Sequence, residues 1–162
     1  MKTLVAFTSR TGTTRKVAAE LARILHADLE EIHCEKSYRG LFGYLRAGRD
    51  SWRGNLPEIT PSKRAPDDYD FVILAGPLWA GHASPVLRRY VQEHKGQFKR
   101  TGFVLTHGGS SPKAAFAELE TLAGLKPISV MAVRQATVDR NDYELAVADF
   151  AGPLRFKEEA VF

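Results

Sequence analysis

A single cysteine, Cys34, is all the thiol chemistry in 162 residues. An internal disulfide is therefore impossible and a thiolate metal cluster lacks ligands; the residue reads as a small buried side chain near a strand end rather than a nucleophile. Long apolar runs are equally scarce. None approaches a membrane span, and the stretch after Met1-Lys2-Thr3 is too short for a signal peptide, so the expected compartment is the cytoplasm. Nor does one sign of charge dominate: 23 basic residues against 19 acidic ones, spread along the chain, suit a solvated surface or an acidic protein partner better than nucleic acid. Two phosphate-loop patterns are missing, the Gly-Lys-Ser/Thr of nucleoside triphosphate sites and the Gly-x-Gly-x-x-Gly of dinucleotide sites. Without repeats, low-complexity tracts or linkers, residues 1–162 are expected to form one domain of ordinary composition, 44% hydrophobic and 26% charged.

What the chain does have is a different anion loop. Thr8-Ser9-Arg10-Thr11-Gly12-Thr13-Thr14 follows the apolar run Leu4-Val5-Ala6-Phe7 and precedes a helical pattern of Val17, Leu21, Ile24 and Leu25. At such a strand–loop–helix junction the first helical turn has amides without internal partners, and the helix dipole adds partial positive charge. One hydroxyl would serve as an N-cap. The hydroxyls of Ser9, Thr11, Thr13 and Thr14 exceed what capping requires, and Gly12 removes a side chain from the approach, so a monophosphate is the expected ligand.

Further along, Asp28 to His33 reads as a short, partly exposed strand near a sheet edge. The segment Tyr38 to Gly54 has helical spacing, with Leu41, Leu45 and Trp52 towards one side and Arg39, Arg46, Arg49 and Arg53 towards another. Core packing accounts for its aromatics, and a docking surface for acidic partners is the sharper reading of its arginines. Asn55 to Asp70, with Pro57, Pro61 and Pro66, reads as a surface loop. Phe71 to Ala75 is an uninterrupted apolar run, as in a central strand, and should stop at Gly76-Pro77. Leu78 to Pro85 reads as a loop, with Ser84 as N-cap and Pro85 opening a helix of Val86, Leu87, Tyr90 and Val91. A strand over Gly102–Thr106, a polar loop over His107–Pro112, a helix with Ala115, Phe116, Leu119 and Leu122, and a strand over Ile128–Val133 follow. A last helix starts near Asn141-Asp142 and should end at Gly152-Pro153.

Five strands alternating with helices imply a parallel sheet with helices on both faces. Ligands of such sheets lie beyond the carboxyl ends of the strands, which gathers the loops Thr8–Thr14, Pro77–His82 and Thr106–Ser110 at one place. Trp79, on a glycine-flanked loop beside a phosphate site, is suited to stacking on a flat ring. Gly76, Gly81, Gly108 and Gly109 would let backbone groups approach that ring edge-on. A ribityl chain between ring and phosphate makes the expected ligand flavin mononucleotide (FMN).

Over nearly its whole length the chain resembles a flavodoxin of the short type. Ser9-Arg10-Thr11-Gly12-Thr13-Thr14 satisfies that family's phosphate loop, Ser/Thr-x-Thr-Gly-x-Thr, and the long-type insertion between the fifth strand and the last helix is missing. The resemblance implies a three-layer sandwich with a five-stranded parallel sheet of order 2-1-3-4-5, and FMN as cofactor. It assigns Pro77-Leu78-Trp79-Ala80-Gly81-His82 and Thr106-His107-Gly108-Gly109 to the two ring-binding loops. Flavodoxins are usually acidic, whereas this chain sets Arg10 and Arg15 at the phosphate loop and His82 and His107 in the ring loops, with no carboxylate in either. Cations there would stabilise an anionic reduced flavin, so a higher potential is expected, dependent on pH if a histidine near the ring titrates.

Two functions fit. One is an electron carrier between redox partner proteins, a monomer or weak homodimer needing no acid, base or nucleophile of its own. The other is a flavin-dependent oxidoreductase acting on a quinone or other small molecule. Met1 to Ala22 also resembles flavodoxin-like protoporphyrinogen dehydrogenases, although Gly76-Pro77-Leu78-Trp79 fits flavodoxin better and their long late insertion is missing. A phosphoryl-accepting receiver domain would need carboxylates where Thr8-Ser9 and Gly76-Pro77 stand, and a phosphatase of this topology would need a cysteine in the first loop.

Overall fold

Phe71, Val72, Ile73, Leu74 and Ala75 have no exposed surface at all, the condition of a strand flanked by strands and covered on both faces. The computed structural model describes residues 1–34, 42, 45, 49 and 56–159, the last five of these as helix backbone alone. Along the chain run β1 (Thr3–Phe7), α1 (Thr13–Leu25), β2 (Asp28–Glu31), a 3₁₀ turn (Pro66–Asp68), β3 (Phe71–Trp79), β4 (His82–Ala83), α2 (Pro85–Glu93), β5 (Thr101–His107), α3 (Lys113–Ala123), β6 (Ser129–Arg134), α4 (Gln135–Asp139) and α5 (Glu144–Glu159). The long strands pair in parallel in the order β2-β1-β3-β5-β6, while β4 pairs antiparallel with β3. The five parallel strands thus keep the expected order, and β4 is an addition to it. None of the described helices is long and apolar enough to cross a membrane.

Alternation along the strands divides the core. Leu4, Ala6, Val72, Leu74, Phe103 and Leu105 face α2 and α3, where Leu87, Tyr90 and Leu119 meet them. Val5, Phe7, Ile73, Ala75 and Val104 face α1 and α5, meeting Val17, Leu21, Val147, Phe150 and Leu154. Ser84 caps α2 as expected, its hydroxyl accepting the Leu87 amide at 3.3 Å, with Pro85 in the first helical position.

Three expectations are corrected. β3 does not stop at Gly76-Pro77 but runs on to Trp79. Pairing with β1 ends at Phe7–Ala75 while pairing with β5 continues through Pro77–Thr106, so Pro77 sits where one edge of the strand is already unpaired and its missing N–H costs no ladder bond. Leu78 to Ala83 is a tight hairpin instead of a loop, with Leu78 opposite Ala83 and Trp79 opposite His82. The last helix starts at Glu144 and passes through Gly152-Pro153 to Glu159. Pro153 is exposed while Phe150 and Leu154 are buried, and burying those side chains, roughly 1.5–3 kcal/mol each, offsets the one hydrogen bond the ring removes.

Cys34 is half-buried just beyond β2, bridging to Ile59. The arginine-rich stretch lies outside the described residues except at Phe42, Leu45 and Arg49. Phe42 and Leu45, one helical turn apart, are 84% and 60% exposed, so these two share a solvent-facing side rather than packing into the core as expected. The proposed docking residues Arg39, Arg46 and Arg53 also lie outside the described residues.

Two glycines give opposite expectations. A Cβ on Gly102 would stand 2.7 Å from Phe150 Cζ and 3.0 Å from Phe71 Cζ, so Gly102→Ala should lower stability by about 1–3 kcal/mol through overpacking. A Cβ on Gly152, inside α5, would meet nothing within 4 Å, so Gly152→Ala should raise stability by about 0.5–1 kcal/mol through helix propensity. Urea denaturation of the two variants beside the parent measures both signs.

Candidate functional site

Because β1, β3 and β5 are neighbours running in one direction, the loops at their carboxyl ends converge on a cleft of about 550 Å³. The first loop enters it through Ser9, Arg10, Thr11, Thr13 and Thr14. Its hydroxyls are not equivalent. Ser9 Oγ accepts the amides of Gly12 at 3.1 Å and Arg15 at 3.3 Å, closing the loop on itself. Thr14, fully buried, shares a 2.8 Å hydrogen bond with Thr106 Oγ1 and so ties the start of α1 to the end of β5. Thr11 and Thr13, 3.4 Å apart, complete the loop's hydroxyl lining beside the first-turn amides of α1, which have no acceptor within the helix. Gly12 is not on the lining; it adopts φ 98° as the residue preceding α1, a left-handed conformation that costs glycine nothing. Arg15 turns away to pair with Glu31 at the end of β2, which removes it from the cations expected near an anion.

The second wall is the β3–β4 hairpin, contributing Pro77, Leu78, Trp79 and Ala80. Its two turn residues, Ala80 at φ 50° and Gly81 at φ 80°, both lie in the left-handed region, as the type I′ turns that suit strand twist require. Gly81 is used up by that turn and does not reach the lining. His82, expected among the ring-binding residues, points elsewhere: its Nδ1 is 3.6 Å from Glu118 Oε1, which also accepts from Arg88 Nη1 at 3.0 Å.

The third wall is Thr106, His107, Gly108 and Gly109. A Cβ on Gly108 or Gly109 would meet no protein atom within 4 Å, which leaves the backbone open to an incoming group. His107 Nδ1 is buried without a hydrogen-bond partner among the described residues. Burial, and then the charge of Arg134 opposite it on β6, hold the His107 imidazole below its usual pKa and so neutral at physiological pH. Ser110, read as the end of the third loop, also lines the cleft. One lining residue escaped the sequence reading: Gln135 opens α4 just beyond β6, a position that the strand-end rule would have flagged had a fourth loop been considered. Among the described residues no carboxylate lines the cleft.

The chain matches the flavodoxin family over residues 2–132. It belongs to that family. Solved structures agree on the fold: an FMN-bound flavoprotein from Lactobacillus acidophilus NCFM is 23% identical, with 86% of this chain and 97% of that chain covered and a TM-score of 0.71. A flavoprotein from Bacteroides uniformis ATCC 8492, described as putative, is 26% identical over 86% and 96%, with a TM-score of 0.69. Oxidised Flavodoxin 2 from Bacillus cereus is 17% identical over 97% and 99%, with a TM-score of 0.58. Comparison with curated proteins finds no match. Like the short form of the flavodoxin fold, this member carries its last parallel strand unbroken from Ser129 to Arg134 and leads directly into α4.

Replacing Thr14 by Val keeps the shape and deletes the hydroxyl, leaving the buried Thr106 oxygen unpaired. Thr14→Val should therefore cost about 1–3 kcal/mol of stability, and Thr14→Ser should restore most of it, both read by thermal denaturation.

Proposed function

We propose that this flavodoxin-family protein binds FMN in the cleft and carries electrons between larger redox proteins. The observation that carries the reading is the cleft's two unlike ends, a hydroxyl-lined helix start with Arg10 and an indole-bearing hairpin facing an open glycine backbone. Thr11, Thr13 and Arg10 would hold the phosphate together with the first-turn amides of α1; charge-assisted hydrogen bonds of this kind contribute roughly 1.5–3 kcal/mol each. Trp79 would cover one face of the ring, and the backbone at Gly108 and Gly109 would meet its edge. When bound, FMN supplies reversible one- and two-electron chemistry.

The chain's own contribution is positioning. Among the lining residues the titratable side chains are Arg10 and His107, and none is set beside a nucleophile, which favours a carrier over an enzyme. The partners fit redox proteins with an acidic docking face, met by cations such as Arg134, exposed beside the cleft. The FMN complex of the Lactobacillus acidophilus flavoprotein, of the same fold, supports the choice of ligand.

Purified protein titrated with FMN should quench the flavin's fluorescence at one-to-one stoichiometry. Trp79→Ala should weaken binding by roughly 5- to 150-fold, the equivalent of about 1–3 kcal/mol of stacking. Absence of quenching would overturn the ligand. Rapid reduction of the bound flavin by free nicotinamide nucleotide, without a reductase, would overturn the carrier in favour of an oxidoreductase.

A further inference from the structure

Resting on the FMN reading, we propose that His107 takes up a proton when the bound flavin is reduced, so that this protein couples electron transfer to proton uptake through its own side chain. Three features converge on the imidazole. It ends β5 on the cleft wall, and among the described residues its buried Nδ1 has no partner and no carboxylate lines the cleft to compensate a cation there. The charge set beside it is positive: Arg134 on β6, its partner in register. The hairpin and β3 add no charge to the lining, because His82 faces Glu118 and lies outside it.

In that surrounding the neutral imidazole is the stable form before reduction, since burial and Arg134 both oppose a further positive charge. Reduction reverses the balance. FMN that accepted two electrons and one proton would gain a negative charge, and such a charge in the cleft would stabilise a cation beside it. His107 is the group on the wall able to become one. The sum is two electrons from an external reductant and two protons from solvent, one bound to the flavin ring and the second to His107. The charge of the reduced ring is thereby matched by the imidazolium.

The test uses the FMN-loaded protein reduced with dithionite and ¹⁵N NMR of the His107 ring across a pH series. The ring should remain protonated to a higher pH in the reduced protein than in the oxidised one. Over the interval between those two transitions the two-electron midpoint should fall per pH unit twice as steeply in the parent as in His107→Gln, which keeps a hydrogen-bonding side chain but does not titrate. Arg134→Gln should raise the pH of His107 protonation in both redox states and so move the interval upward. A ring that stays neutral on reduction, or identical slopes in the parent and His107→Gln, overturns the proposal while FMN binding stands. A parent protein that fails to bind FMN overturns the functional reading itself, and this proposal with it.

Discussion

Parallel pairing is the constraint from which the site follows. A parallel strand must be reached by a crossover, so every return helix begins at the same edge of the sheet as the strand before it ends. Here β1, β3 and β5 are neighbours, and residues at or just beyond their carboxyl ends share one cleft. The full burial of the strand core at Phe71–Ala75 makes that arrangement stiff, because moving any one loop end would uncover apolar surface on both faces at once.

Stiffness alone does not close the cleft's walls. That falls to a few polar contacts of specific geometry: Ser9 folding the first loop, Thr14 joined to Thr106 across the strand ends, and Arg88 with Glu118 beneath the hairpin. Each takes a group that composition would have counted as a ligand donor and commits it to the scaffold. The electrostatic character of the cleft is correspondingly simpler than the chain's list of basic residues suggests, since Arg15 is matched by Glu31 and His82 by Glu118. Arg10 and His107 remain on the wall.

The strands and the three loops were readable from the residues, because uninterrupted apolar runs such as Phe71–Ala75 and strand-ending polar loops are strong signals in parallel folds, while the strand order came from the resemblance to flavodoxins. It was less informative where tertiary context overrode a local rule. Pro77 looks like a stop until its position beyond the end of β1 is known, and Pro153 looks like a helix terminator until Leu154 is found packed in the core. The hairpin was hidden because its turn is Ala80-Gly81, without the asparagine or aspartate that usually announces two left-handed residues in succession. Which hydroxyls of the first loop would face inward was beyond any periodicity, since Thr14 finds its partner 92 positions away.

The extension of β3 past the end of β1 leaves the Trp79 hairpin attached as an overhang. Below Ala75 the strand is held from both sides; above it the tip is secured by pairing to β5 and by two short rungs to β4. Parting those rungs would leave every central pairing intact but would uncover Leu78 and Ala83, which are packed in the core with Leu87 and Leu119. The overhang is therefore moored by its apolar underside more than by its hydrogen bonds, which keeps the indole wall in place where the sheet's ladder has run out.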